Sequence, residues 1–427
     1  MFSPKYSIVL PTLNSVKYLP SCVQTILRQN YDNYELIISN NCSDDGTAEY
    51  LETLRNNPRV KIIQPEKRLP LGDHWDFAIS HAQGEWVYGI GSDDGVMPYF
   101  FNLLDILTAI ADKKVVNIIK SNRAYFFWGG LQEIHGDAYI NYYASPNIEI
   151  KSTKQILYEV LYENSDKFFD IPQMYTTSTF RNTLVQRMRN KRNGRLIQKG
   201  MAHDTYLGLV GCIYENKYLY SNIPIAWVGS SATSIGSNIE EFRRKEDEFE
   251  LIKAFIKDNP KAYYEEYRYV QPALKVNNLL LARAILCFLR SDYDIFFPPE
   301  LNITTHKNLV KFYALVYLKI NNSKNNQDKR MFFFNDMMKH LGIEKAEIIS
   351  AYNKLLKSEK QCTNLFKRIV LKLRRCILRV LKIKSNVQNQ FIIKQDYGDE
   401  DNFKDMQEVN QYIAVNETIL KIIDSIK

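Results

Sequence analysis

At 427 residues the chain is longer than one hydrophobic core usually serves, so two domains, or a domain with a helical appendage, are expected. Its 45% hydrophobic and 24% charged residues are ordinary globular values, and the net charge of +8 is mild. Six scattered cysteines without a CxxC pair argue against a zinc site or a disulfide framework, and no apolar run reaches about 18 residues, so no membrane span or signal peptide is expected.

Residues 6–10 form a short apolar, β-branched run that reads as a buried strand ended by Pro11. The loop Thr12-Leu13-Asn14-Ser15 follows, then a helical pattern through Leu19, Val23, Ile26 and Leu27. A second strand is expected over 34–38, stopped by the polar cluster 39–47, and a third over 60–63. A helix over 73–82 leads to a fourth strand, 86–90, and to Gly91-Ser92-Asp93-Asp94-Gly95. This alternation predicts a mostly parallel sheet with helices on both faces, whose ligands bind beyond the strands' C-terminal ends. All three polar clusters sit at such ends.

Two adjacent carboxylates at a strand end are electrostatically awkward unless a cation or hydrogen bonds compensate them. A hard divalent cation of the Mg²⁺ type takes one or two carboxylates and completes its shell with water and phosphates. The pair therefore points to a nucleoside-diphosphate site, although Ser-Asp-Asp-Gly is also good turn chemistry. Further along, strands are expected over 115–120, 124–128 and 218–220, with a basic stretch from Arg187 to Lys199. Beyond about Ser237 the pattern turns helical, over 240–257, 263–289, 307–320, 330–340 and 345–356.

These pieces, in this order, resemble the family 2 glycosyltransferases. Residues 7–14 look like the family's first nucleotide-binding loop, and 36–47 like its second strand and base-binding loop. Residues 72–90 look like the helix and strand before its DXD-type metal motif, here Ser92-Asp93-Asp94. His203-Asp204 resembles the later motif that supplies the catalytic base. The resemblance covers roughly residues 5–235 and implies the α/β GT-A fold, a Rossmann-like, mostly parallel sheet, followed by an all-helical region. The chain departs from the family at Asn40 and Asn41, where aspartates are usual, at Ser92, and at His203, where Glu is more frequent.

The resemblance implies the following roles. Asp94 binds a divalent cation (Mn²⁺ or Mg²⁺) that meets the diphosphate of a nucleotide-sugar donor. Asp93, Pro11, Thr12, Asn14, Asn40 and Asn41 contact the nucleotide, and His203 and Arg181 contact acceptor or phosphate. Asp204 is the general base of an inverting transfer to a hydroxyl acceptor. Asp204 also opens an apolar helix, where Asp is a favoured cap. His74 and His81 read as helix-surface residues.

The expected organisation is a transferase domain over 1–237, a helical region over 238–385, and a polar, loosely held tail over 386–427. Residues 367–384 are dense in Lys and Arg, contain no acid, and carry Val370, Leu373, Ile377, Val380 and Leu381 along one helical face. Such a helix suits an anionic membrane surface, and implies a cytoplasmic protein held at the inner face of a membrane. The acceptor expected there is a lipid-linked or surface glycan of a bacterium, such as capsule or lipopolysaccharide. Nucleic acid is not an expected partner, since no recognition signature accompanies the basic stretches; a second copy of the chain is left open. Two rival readings are a catalytically degenerate scaffold and a nucleotidyltransferase. The latter would carry a Gly-rich phosphate loop after the first strand, which Pro11-Thr12-Leu13-Asn14-Ser15 is not.

Overall fold

The computed structural model describes residues 4–129, 138–163, 165–197, 203–232, 234, 301–302, 305–321, 331, 334–335, 338–339, 341–356, 391–396 and 406–427. The apolar run at the N-terminus becomes β1 (Tyr6–Thr12), buried along its whole length between two parallel neighbours, β2 (Tyr34–Asn40) and β4 (Trp86–Gly89). Burial on both faces is why its sequence is apolar rather than alternating. Pro11 does not end this strand. It pairs with Ser39 of β2, while β4 accompanies β1 only as far as Val9, so the missing N–H removes no bond from the β4 side.

Helices α1 (Leu19–Leu27), α2 (Thr47–Glu52) and α3 (Leu71–Ile79) alternate with β1, β2, β3 (Val60–Ile63) and β4, as the hydrophobic pattern predicts. The sheet continues past β4 in a way the pattern did not show. Its order is β3-β2-β1-β4-β10-β6-β11-β9, with β6 at Ile118–Ser121, β9 at Ile148–Ser152, β10 at Ser178–Arg181 and β11 at Lys217–Ser221. Strand β10 runs antiparallel to both β4 and β6, so the sheet is mixed beyond its parallel N-terminal half. Strand β6 begins three residues later than expected. Val115 takes a left-handed conformation (φ 53°) after α4 (Phe100–Lys114), and its side chain is exposed rather than in the sheet.

A second sheet has the order β13-β8-β7-β12-β5. It comprises β5 (Gly95–Val96), β7 (Ala124–Phe127), β8 (Ala138–Ala144), β12 (Ala226–Ser230) and β13 (Phe391–Asp396). Other elements are α5 (Thr153–Tyr162), α6 (Asn182–Asn190), α7 (His203–Tyr214), α8 (His306–Asn321), α9 (Met406–Ala414) and α10 (Glu417–Asp424).

The chain divides into two compact units: Met1–Ile156 with Phe169–Ala262 and Gln390–Lys427, and Leu157–Phe168 with Tyr263–Asn389. The last segment differs most from its reading as a loosely held tail: β13 pairs with β8, and Met406, Val409, Ile413, Ile419, Ile422 and Ile423 enter the core of the first unit. Asn416 caps α10 by accepting from the amides of Thr418 and Ile419. In the second unit, α8 matches the helix expected over 307–320, and Lys311 Nζ donates to the Tyr158 hydroxyl (2.8 Å). The helices expected over 240–257 and 263–289, and the basic segment 367–384, lie outside the described residues. Among the described residues no helix is long and apolar enough to cross a membrane.

Candidate active site

Three loops meet at the C-terminal rim of the parallel strands. Asn41 N–H donates to the Thr12 carbonyl (2.9 Å), Asn14 N–H to Ser43 Oγ (3.0 Å), and Ser92 Oγ to Ser15 Oγ (2.9 Å). Asn14 adopts a left-handed conformation (φ 49°), which Asn tolerates, and its Oδ1 accepts from Asp44 N–H. The two neighbouring asparagines serve the protein itself. Both amide atoms of Asn41 bond the backbone of Leu69, and Asn40 accepts from Ser43 N–H while donating to Gln64. Their expected role toward a base thus competes with bonds already made. Asp45 accepts from Val16 N–H and from Thr47 N–H and Oγ1, a structural turn.

The acidic pair follows β4, and its two members differ. Asp94 is fully buried, and its carboxylate accepts from Gly91 N–H (2.8 Å), Thr176 Oγ1 (2.7 Å) and Gly229 N–H (2.7 Å). Burial, reinforced by the charge of Asp93, pushes its pKa up to about 7. Asp93 is partly exposed, and its Oδ2 accepts from Ser231 Oγ (2.7 Å). Burial raises its pKa too. The metal role expected of Asp94 meets a carboxylate already occupied on both oxygens; Asp93 is the member placed to reach a ligand.

Among the described residues no group of three or more His, Cys, Asp or Glu could hold a metal by itself. The Asp93 carboxylate, with the Ser231 hydroxyl against its Oδ2, fits a hard cation that takes one carboxylate and completes its shell from water and phosphate.

Aromatic packing joins this loop to Asp204. A Cβ on Gly91 would lie 2.7 Å from the Tyr175 hydroxyl, which places that hydroxyl against the acidic loop. The Tyr175 ring meets His203 edge-on (5.2 Å), and His203 stacks on Trp75 (4.1 Å, 7°). Asp204 comes next, partly exposed in the first turn of α7, with Oδ1 accepting from Thr205 N–H (2.7 Å). Thr176 is held at φ 46°, unusual for a β-branched residue, by its N–H bond to the Gly89 carbonyl and its hydroxyl bond to Asp94.

Residues 7–197 match the model of the glycosyl transferase family 2. That segment, a little under half of the chain, is what is similar to the family. The glycosyltransferase GlyG of Streptococcus pneumoniae is 30% identical over 117 residues, which are 27% of this chain and 38% of GlyG. The poly(ribitol-phosphate) beta-N-acetylglucosaminyltransferase TarS of Staphylococcus aureus is 31% identical over 93 residues, 21% of this chain and 16% of TarS. The chain thus spans well under half the length of these relatives. Among solved structures, S. aureus TarS 1–349 in complex with UDP-GlcNAc aligns over 84% of this chain and 92% of that one, at 17% identity and a TM-score of 0.40.

Several side chains expected at the site fall elsewhere. Arg181 lies opposite Trp86, at the start of β4 and so at the end of the sheet away from the acidic pair. There it pairs with Glu85 and Asp112 and covers the Trp86 ring, which corrects its expected contact with phosphate or acceptor. The basic run is likewise consumed: Arg187 pairs with Glu215, Arg189 with Asp76 and Arg195 with Asp73. Buried Arg192 bonds the carbonyls of Met188 and Leu196. His203, expected at acceptor or phosphate, has both ring nitrogens buried and without hydrogen-bond partners among the described residues. Burial lowers its pKa to about 4, so it is a neutral ring packed in an aromatic cluster. His74 is buried against Ser39 Oγ (2.8 Å), not on the helix surface, because α3 lies over β2.

Tyr175, Thr176, Gly229 and Ser231 carry no motif and were missed in the sequence. Gly229 alone left a signal, a glycine inside a strand pattern, which marks close backbone approach. A Cβ there would overlap the Asp93 carbonyl oxygen. Gly229→Ala should therefore cost about 4 kcal/mol or more of stability, read as a lowered denaturation midpoint. A midpoint within error of wild type would contradict this packing.

Proposed function

We propose that this chain transfers a sugar from a nucleoside-diphosphate donor to a hydroxyl acceptor with inversion at the anomeric carbon. The reading is supported by the family 2 match of residues 7–197, and above all by one observation: the acidic loop is joined through Tyr175 and His203 to Asp204, at the rim where the loops after β1 and β2 meet. Asp204 would take the proton of the acceptor hydroxyl as that oxygen bonds the anomeric carbon. The bond from that carbon to the diphosphate breaks on the opposite face, releasing the nucleoside diphosphate. A divalent cation, Mn²⁺ or Mg²⁺, held by Asp93 and the donor phosphates would neutralise charge on the leaving group. Thr12, Asn14 and the backbone around Pro11 are the first-loop residues assigned to the nucleotide.

We assign the acceptor to the surface glycans of bacteria; the relative TarS is named for transfer to poly(ribitol-phosphate). The basic segment 367–384 would bring the enzyme to the inner face of the membrane, and should give vesicle binding that requires anionic lipid and weakens with salt. Equal sedimentation with neutral vesicles would remove that part. The transfer itself is tested by incubating the full chain with a panel of nucleotide sugars and Mn²⁺ and measuring released nucleoside diphosphate. Slow release with at least one donor supports an enzyme. Donor-dependent thermal stabilisation without any release would favour the scaffold reading, which the internally bonded Asn40 and Asn41 keep in view.

A further inference from the structure

The acidic loop is held from behind by a residue more than 300 positions away in sequence. Asn410, on α9, is buried and uses both amide atoms. Its Nδ2 donates to the Val96 carbonyl (2.9 Å), and its Oδ1 accepts from Trp227 Nε1 (2.9 Å). Val96 and Trp227 lie on β5 and β12, which pair antiparallel through Ala226↔Val96 and Trp227↔Gly95. Strand β5 starts one residue after Asp94. Strand β12 carries Gly229, whose N–H bonds Asp94, and ends just before Ser231, whose hydroxyl bonds Asp93. One side chain thus bridges both segments that set the carboxylates.

The rest of α9 reinforces this. A Cβ on Gly95 would meet Met406 Sδ at 2.6 Å, so the helix sits directly against the residue after the acidic pair. Gln407 donates from Nε2 to the Ser21 carbonyl and accepts at Oε1 from Arg28, tying α9 to α1, while Cys22 of α1 donates to the Gly91 carbonyl. Val409 and Ile413 are fully buried in the same core.

We infer that Asn410 is a positioning residue for the proposed site, and that α9 is a built-in part of the acidic loop's support. The inference rests on the transferase reading only for its consequence in catalysis; its structural half stands alone. Asn410→Asp is the informative variant, since it keeps an acceptor for Trp227 but sets a carboxylate oxygen against the Val96 carbonyl. In the full-length chain, hydrogen exchange of the amides of residues 91–97 should speed up about tenfold, the value of one lost hydrogen bond of ordinary strength. Mn²⁺ affinity in the presence of UDP, read by electron paramagnetic resonance, should fall severalfold.

Trp227→Phe removes only one of the two bonds and should give a smaller change of the same kind; it decides the matter if Asn410→Asp does not fold. Exchange over 91–97 and Mn²⁺ affinity both within twofold of wild type would overturn the inference. Faster exchange in a protein whose wild type neither binds Mn²⁺ with UDP nor turns over any donor would instead uphold the positioning role and sink the transferase reading.

Discussion

Asp93→Asn should lower sugar transfer by about a thousandfold, with little change in thermal stability. The physical basis is the contrast within the acidic pair. Asp93 is partly exposed and accepts from the Ser231 hydroxyl, so its amide isostere keeps an oxygen for that bond and loses only the charge. Asp94→Ala should also lose activity, but by a different route. It would strand the Gly91 and Gly229 amides and the Thr176 hydroxyl inside the protein, at about 1–3 kcal/mol for each unsatisfied group. Transfer assays paired with thermal denaturation separate the two: one variant folded and inactive, the other destabilised. Wild-type turnover by Asp93→Asn would remove that residue from the cation's coordination.

Asp204→Asn should reduce the rate at saturating donor by about a hundredfold to ten-thousandfold while leaving the donor KM near wild type. The substitution keeps the oxygen that accepts from Thr205 N–H, so the start of α7 survives, and removes only the capacity to take a proton. Capping alone makes a different forecast: a stability change and an unaffected rate. Steady-state kinetics with varied donor decide between them, and an unchanged rate would mean that the base lies elsewhere.

The parallel half of the fold was legible because its signals are local. Apolar runs of four to seven residues broken by polar clusters specify β1 to β4 and the helices between them, and the parallel rule then brings Thr12, Asn40 and Asp93 to one rim. Even there Pro11 misled, since whether proline ends a strand depends on which neighbour would have used its N–H. The two-residue β5, the antiparallel β10, and β13, whose partner lies some 250 positions away, carry no comparable signal.

The sequence by itself determined that this chain builds a Rossmann-like sheet with carboxylates and amide side chains at its ligand-binding end, because burial periodicity and turn chemistry are written within a few residues of each element. Only the tertiary structure decided which of two adjacent carboxylates is walled in and which stays partly exposed. It also sent Arg181 to the far end of the sheet and wove α9 into the support of the acidic loop. These outcomes hang on hydrogen bonds from Thr176, Gly229, Ser231 and Asn410, donors and acceptors brought together by strand and helix packing over some 80 to more than 300 positions of chain, a range at which adjacent residue types say nothing about who faces whom.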